Sequence, residues 1–220
     1  MKLLSRPDEL RQALGPLAIF AILLALISVA VPEFLGGGGP SIIAQQATPI
    51  LLVALGQCVV LCIGSIDLSN AAIALFASIL AALTLGPLGA AAPVFCLIVV
   101  TLIGVANGLV LVYTQIPSFA LTLGTLGVMQ AASLVVTGSN VVYVMDNMDV
   151  VGWLFTVQIL TLPVAFWIAV VLAAALWAFL RFTVPGQGLM ASGFNERAAG
   201  LSGQPVNALK VLAFGLSGFF

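Results

Sequence analysis

Long apolar stretches alternate with short polar or glycine- and proline-rich segments along this chain. Crossing a bilayer takes about 20 apolar residues in a helix, and six stretches come close to that length. They cover residues 14–31, 42–63, 71–85, 90–113, 117–137 and 160–180. A seventh apolar stretch begins after Lys210. The pattern predicts an all-α integral membrane protein, a polytopic bundle of six complete transmembrane helices plus the start of a seventh.

The polar segments give this bundle a predicted orientation. Residues 1–13 carry mixed charge and are expected in the cytoplasm, with 14–31 as an uncleaved anchor. All six basic residues then fall on the cytoplasmic side, as the positive-inside rule expects. Turns at 32–40 and 86–89 and a loop over 138–158 would face outward. We expect one transmembrane domain over 1–220, with 182–209 as its large cytoplasmic loop.

Composition excludes a water-soluble domain. The 220 residues are 62% hydrophobic and 6% charged, whereas soluble domains are about 25% charged. Between Phe34 and Met145 the one formal charge is Asp67. The net charge of −1 offers nucleic acid no basic surface.

The residues that enzymes need are not present as recognisable motifs. The chain has no histidine, and neither Lys2 nor Lys210 follows the glycine-rich turn of a phosphate-binding loop. Cys58 and Cys62 share a helix face without a histidine or carboxylate nearby, so we interpret them as structural rather than metal-binding. We therefore expect no catalytic set, metal or cofactor, and a transport role powered by an ion gradient or a separate subunit.

Polar side chains inside apolar spans face other helices or a cavity rather than lipid. Such residues are candidates for a translocation path, although the same groups also suit hydrogen bonds between helices. The path candidates are Asp67, Ser69, Asn70, Asn107, Gln45 and Gln46. For Asp67 an N-cap of the third span, accepting N–H groups near Ser69 and Asn70, is the favoured interpretation. Small residues at 104 and 108, and at 120, 124, 127 and 131, predict close helix packing.

A short charged segment lies within the 182–209 loop and has the pattern of a small helix. Asn195 is a good N-cap, and Glu196 suits the positive end of the helix dipole. Gly200 or Gly203 can end the helix. Taken alone, this segment is typical of an ordinary solvated connector.

Three blocks of sequence resemble the permeases of monosaccharide ABC importers, the ribose, xylose, arabinose and galactose type. Residues 63–69, IGSIDLS, resemble that family's GGIDLS, with Ser65 in place of a glycine. Residues 116–125, IPSFALTLGT, resemble IPPFIVTLGT. Residues 195–203, NERAAGLSG, resemble NEEAARLSGI, and an LSG follows at 216–218. The blocks occur in family order from the second span onward.

The resemblance implies an ABC importer permease fold in the bacterial inner membrane. It implies an ATPase docked on the cytoplasmic side, a periplasmic sugar-binding protein and a second permease subunit, with a homodimer expected. The ATPase-coupling helix would comprise Asn195, Glu196, Arg197, Ala198, Ala199, Gly200, Leu201, Ser202 and Gly203.

Other interpretations stay open on the sequence alone. A proton-coupled carrier would use Asp67 as its relay, and related permeases carry autoinducer-2, nucleosides or inositol. Ten residues follow Lys210 and rise about 15 Å as a helix, half of a bilayer core of about 30 Å. We therefore also expect a C-terminally truncated sequence that lacks the family's last spans, and a non-functional remnant is a further alternative.

Overall fold

The computed structural model describes residues 7–32, 34, 38–144 and 146–220. Helices dominate this part of the chain. They are α1 (Pro7–Ala30), α2 (Gly39–Cys62), α3 (Asn70–Leu88), α4 (Ala92–Thr114), α5 (Ser118–Thr137), α6 (Asp149–Thr156), α7 (Val164–Phe182), α8 (Val184–Phe194), α9 (Glu196–Leu201) and α10 (Val206–Phe219). Two short strands, β1 (Gln158–Ile159) and β2 (Leu162–Pro163), precede α7.

The helices confirm the predicted membrane bundle. Within the described residues, four helical stretches are long and apolar enough to span a bilayer: Gly39–Cys62, Asn70–Thr114, Ser118–Thr137 and Val164–Phe182. The second has 45 residues and folds back on itself, so it supplies both α3 and α4. Shorter apolar helical stretches run over Leu14–Ala30 and Val206–Phe219.

The chain reverses between α3 and α4 slightly later than the predicted turn at 86–89. Helix α3 continues through Pro87 to Leu88, and the reversal occurs at a 3₁₀ turn, Gly89–Ala91. Gly89 has φ +52°, a conformation that glycine adopts without a steric penalty. The Thr84 hydroxyl then lies 3.7 Å from Cys96 Sγ, which is incompatible with one continuous helix.

The core is centred on α10 and the helices around it. Its buried side chains include Phe214 and Ala213 of α10, Val59 and Val60 of α2, and Leu111 of α4. Helices α4 and α10 approach each other closely, because a Cβ at Gly108 would lie only 2.7 Å from Val211 Cα. The predicted packing role of the glycines at 104 and 108 is therefore confirmed.

The predicted outward loop over 138–158 contains regular structure that the sequence did not reveal. Helix α6 lies within it, and β1 pairs antiparallel with β2, Ile159 opposite Leu162. The intervening Leu160 and Thr161 both have positive φ, as in a two-residue hairpin turn. Helix α7 consequently begins at Val164 rather than at the predicted position 160.

The predicted 182–209 loop is largely helical. Thr183 caps α8 by accepting the N–H of Gly186 at 3.1 Å, and a proline lies in its first turn, where the missing N–H costs no helical hydrogen bond. A Cβ on Gly193 would collide with the backbone carbonyl of Cys62. The end of α8 therefore presses against the end of α2 and holds α9 close to the bundle.

Candidate functional site

The segment between α2 and α3 places a carboxylate inside the bundle. Asp67 is 5% exposed. Its Oδ1 accepts the backbone N–H of Ser69 at 2.9 Å and the Ser69 hydroxyl at 2.6 Å. Ser69 itself occupies the N-cap position of α3. The predicted N-cap position of Asp67 is therefore wrong: Ser69 is the N-cap, and Asp67 binds the Ser69 N–H from the turn that precedes it.

The other carboxylate oxygen connects this segment to α10. The Ser217 hydroxyl donates to Asp67 Oδ2 at 2.8 Å. Asn70 Nδ2 donates to the Ser217 hydroxyl at 3.1 Å and to the Val53 carbonyl of α2 at 3.1 Å. One connected set of hydrogen bonds therefore joins the start of α3, the middle of α2 and the C-terminal half of α10.

Asn107 extends the same network into α4 and α5. Its Nδ2 donates to the Ser69 hydroxyl at 3.1 Å, and its Oδ1 accepts the Thr125 hydroxyl at 2.7 Å. Asn107 is 5% exposed. Because both ends of the amide are bound, its orientation is fixed between the two helices.

Two further α5 hydroxyls bind backbone groups of the turn. Thr122 Oγ1 accepts the Leu68 N–H at 3.0 Å, and Ser118 Oγ accepts the Ile66 N–H at 3.1 Å. N–H groups outside a regular helix have no intrahelical partner, and within a bilayer they need one elsewhere. The first turn and a half of α5 therefore serves as the hydrogen-bonding partner of the 63–70 segment.

The network consists of one carboxylate surrounded by neutral donors. Among the described residues, no buried side-chain nitrogen or oxygen lacks a hydrogen-bond partner. A fully satisfied buried network specifies one arrangement of its helices. We define the buried polar network by its side chains: Asp67, Ser69, Asn70, Asn107, Thr122, Thr125 and Ser217.

Four of the six predicted path residues meet in this network, namely those at 67, 69, 70 and 107. Gln45 is half-buried and Gln46 exposed, and Gln45 precedes Val53 by about 12 Å along α2. Sequence reasoning missed Thr122, Thr125 and Ser217 as members of the network. All three lie in the blocks that resemble the permease family, at 116–125 and 216–218. The resemblance could therefore have pointed to them, although no role was predicted for them.

The predicted short helix is present as α9. Asn195 Oδ1 accepts the Ala198 N–H at 3.0 Å, which confirms it as the N-cap. At the other end Gly203 has φ +84°, its N–H binds the Gly200 carbonyl, and the Gln204 N–H binds that of Ala199. These two bonds form a Schellman motif, so Gly203 ends the helix and Gly200 lies inside it.

Helix α9 has an exposed surface and one ion pair with α10. Ala199 packs inward at 6% exposed, whereas Leu201 is 86% and the preceding Phe194 88% exposed. Lys210 Nζ, at the start of α10, lies 2.6 Å from Glu196 Oε1. The ion pair fastens the first turn of α9 to α10.

A family model described as branched-chain amino acid transport system, permease component, matches residues 39–220. The ribose import permease protein of Haemophilus influenzae is 30% identical over 203 residues, covering 90% of this chain and 62% of that protein. The autoinducer 2 import system permease protein of Enterobacter sp. (strain 638) is 31% identical over 228 residues, 99% of this chain and 62% of that protein.

The L-arabinose ABC transporter permease protein of Azospirillum brasilense is 28% identical over 211 residues, with 93% of this chain and 60% of that protein covered. The chain thus spans less than two thirds of the length of these relatives. No solved structure matches the chain.

Proposed function

The chain belongs to the family of permease components of branched-chain amino acid transport systems, and on that premise we propose that it is the membrane subunit of a bacterial ABC importer for a monosaccharide. The single observation that carries the proposal is the connection from an exposed short helix, α9, through α10 to the buried polar network. Such a connection suits a membrane subunit whose conformational change is driven by an ATPase on a separate chain.

A neutral polyhydroxylated solute fits the chain better than an amino acid. The network offers hydroxyls and amides around the single carboxylate Asp67, and it contains no cationic side chain. A zwitterionic amino acid needs a buried positive partner for its carboxylate, whereas sugar hydroxyls pair with neutral donors and acceptors. Relatives named for ribose and L-arabinose support the same solute class.

The distribution of charge supports an inner-membrane protein with α9 in the cytoplasm. Arg181 lies in the last turn of α7, Arg197 lies in α9, and Lys210 lies beside it. At the end of α3 that is remote from α9, Asn147 donates to the Leu85 carbonyl at 3.0 Å. Asp146 and Asp149, its neighbours in sequence, therefore lie at that remote end. With the positive-inside rule, the N-terminus is cytoplasmic. Of the charges predicted at the cytoplasmic N-terminus and in the outward turn at 32–40, Lys2, Arg6 and Glu33 lie outside the described residues.

In this proposal α9 is the helix on which the ATPase docks. Its exposed face, with Leu201 and Phe194, supplies apolar contacts, and Asn195 fixes where the helix begins. Lys210 and Ser217 are seven residues apart on α10, about two turns, and therefore share a face. A displacement of α9 would be transmitted to α10 by the ion pair between Glu196 and Lys210. From α10 it would reach Asp67 through the Ser217 hydrogen bond.

The proposed assembly contains two permease subunits, expected as a homodimer, two ATPase domains and a periplasmic sugar-binding protein. The permease itself would carry no catalytic residues, cofactor or metal, because the ATPase supplies the energy. Its own contribution is to hold the path closed until α9 moves.

The test is uptake of radiolabelled D-ribose, L-arabinose and leucine into proteoliposomes that hold the full-length permease with its ATPase and binding protein. We expect ATP-dependent uptake of a sugar that a protonophore does not reduce, and loss of uptake on deletion of 195–201 with normal membrane insertion. Protonophore-sensitive uptake without ATPase would support a proton-coupled carrier instead. Uptake of leucine alone, or normal uptake after the deletion, would contradict the proposal.

A further inference from the structure

Asn147 joins two helices that lie far apart in the sequence. Its side-chain Nδ2 donates to the Leu85 carbonyl at 3.0 Å and to the Gly86 carbonyl at 3.3 Å. Both carbonyls belong to the last four residues of α3, whose carbonyls a helix cannot satisfy by itself. The Asn147 side chain therefore caps α3 at the end that is remote from α9.

The backbone of the same residue leads into α6. The Asn147 carbonyl accepts the Val150 N–H at 3.1 Å, and α6 begins at Asp149. Asn147 has φ +55°, a left-handed conformation in which asparagine is several-fold enriched. Asn147 thus binds α3 with its side chain and starts α6 with its backbone, so it fixes where α6 begins relative to α3.

The chain around Asn147 lies directly against the end of α3. A Cβ built on Gly86 would lie 3.8 Å from Asp146 Oδ2, and one built on Gly89 would lie 3.8 Å from Asn147 Nδ2. Both are ordinary contact distances, so the two side chains rest on the glycines of this reversal. Among the described residues, the two bonds of Asn147 are the hydrogen bonds that join the 146–163 segment, with α6 and both strands, to α3.

The opposite end of α3 lies in the buried polar network. Ser69 is the N-cap, and Asn70, the first residue of the helix, donates to the Ser217 hydroxyl of α10. The 19 residues from Asn70 to Leu88 form one helix, and a helix of that length extends about 28 Å. Rigid helices are among the elements that couple distant sites. Side chains therefore hold α3 at both ends, in the network at one end and through Asn147 at the other.

A second side-chain bond attaches the 146–163 segment to α2. Gln158 Nε2 donates to Ser41 Oγ at 3.0 Å, near the start of that helix. The contact of α2 with the network is a backbone carbonyl, that of Val53, whereas α3 begins with two side chains of the network. The segment thus has two attachments of similar chemistry, of which the one on α3 has the closer connection to the network.

Resting on the proposed function, we infer that Asn147 is a positioning residue for transport. It holds the 146–163 segment on α3, so that a displacement of the network is carried by α3 to the end remote from α9. In the proposed function the displacement comes from α9 through its ion pair with α10. Asn147 acts through the position of α6 and makes no contact of its own with the solute.

The test compares two substitutions of Asn147 in the complete importer, reconstituted with its ATPase and a sugar-loaded binding protein. Asn147→Gly keeps the positive φ and removes the amide, and Asn147→Asp keeps the side-chain size but has no N–H to donate. With D-ribose or L-arabinose as the sugar, both variants should lower the sugar transported per ATP about fivefold. The ATPase rate should persist, whereas a loss of folded protein would lower uptake and ATPase rate in the same proportion.

Gln158→Ala is the matched control. It removes the comparable bond to Ser41 of α2 and leaves the attachment to α3 in place. We expect the sugar transported per ATP to be unchanged in this variant. An equal loss in Gln158→Ala would show that any loosening of the segment uncouples the importer, and would overturn the route through α3.

A disulfide replaces the missing connection in a second measurement. Gly86→Cys and Asp146→Cys are added to Asn147→Gly, because a Cβ at position 86 would reach the Asp146 side chain. The three native cysteines are first replaced by alanine, namely Cys58, Cys62 and Cys96. Oxidation with copper phenanthroline should restore most of the sugar transported per ATP, and dithiothreitol should abolish the recovery.

Two results would overturn the role of Asn147 while leaving the importer function standing. One is an unchanged ratio of sugar to ATP in both Asn147 variants, and the other is no recovery in a fully cross-linked sample. A parent complex without ATP-dependent sugar uptake would instead count against the importer function itself, before any variant is compared.

Discussion

Helices α4 and α5 carry similar small-residue patterns but use them differently. In α4, Gly104 and Gly108 meet the backbone of α10, and a side chain at either position would collide with it. In α5, a Cβ on Gly124 or Gly127 would have no neighbour within 4 Å. Small residues at helical spacing therefore permit a close approach, but they do not say whether a neighbour makes it.

The polar residues of the two helices differ in a corresponding way. Asn107 of α4 has both ends of its amide bound inside the buried polar network. On α5, Thr122 and Thr125 belong to that network, whereas Ser133 and Thr137 lie further along the helix and line a cleft of about 470 Å³ between α3 and α5. The comparison shows that α4 packs tightly against α10, whereas α5 beyond the network borders open space.

The largest effect should come from a side chain placed between α4 and α10. Gly108→Ala puts a methyl group 2.7 Å from Val211 Cα, and we expect it to destabilise the fold by about 3 kcal/mol. Gly124→Ala is the matched control on α5, where removing a helical glycine should stabilise by up to about 1 kcal/mol. Thermal unfolding in detergent measures both variants. Equal losses of stability would show that the α5 face is packed as tightly as that of α4.

An intermediate loss of stability is expected from substitution of Asp67. Asp67 accepts a hydrogen bond from Ser217 of α10, and the next residue, Leu68, donates to Thr122 of α5. Asp67→Ala leaves two buried hydroxyls without their acceptor and should cost about 2–3 kcal/mol. Asp67→Asn keeps one acceptor oxygen and should cost about 1 kcal/mol. Because the proposed energy source is ATP, Asp67→Asn should retain uptake. Abolished uptake at normal expression would show that the negative charge is essential, as a proton relay requires.

The smallest effect on stability is expected at the ion pair between α9 and α10. Glu196 is 56% exposed, and exposed pairs contribute about 0–1 kcal/mol. The effect on coupling should be clearer, with Glu196→Lys or Lys210→Glu each lowering the sugar transported per ATP about fivefold. The double exchange restores the attraction and should recover most of that ratio. No recovery in the double variant would remove the ion pair from the coupling route.

The sequence was sufficient to predict the membrane bundle, because apolar length is a direct requirement of the bilayer. It also predicted the start of α9 and narrowed its end to Gly200 or Gly203, since an N-cap asparagine and a C-terminal glycine act locally. It did not predict the β1–β2 hairpin, because Leu160 and Thr161 are not residues typical of left-handed turns. Helix α8 was missed because its glycines and short length give a weak helical pattern.

The candidate site was predicted only in part. Asp67 and Asn107 stood out because amides and carboxylates are rare within apolar spans. Thr122, Thr125 and Ser217 did not stand out, since hydroxyls are common in membrane helices, where they bond to their own backbone. Which hydroxyls also reach across to a neighbour depends on helix register, and register follows from the fold rather than from composition. Gln45 and Gln46 show the converse, polar residues within a span that lie apart from the network.

The most direct test of the account is whether α10 couples α9 to the buried polar network in the complete importer. Ser217→Ala removes the hydroxyl through which α10 reaches Asp67. Thr101→Ala is the control, since the Thr101 hydroxyl bonds to the Leu97 carbonyl of its own helix. We expect Ser217→Ala to lower the sugar transported per ATP about fivefold, whereas Thr101→Ala should leave it unchanged. An unchanged ratio in both variants would contradict coupling from α9 through α10.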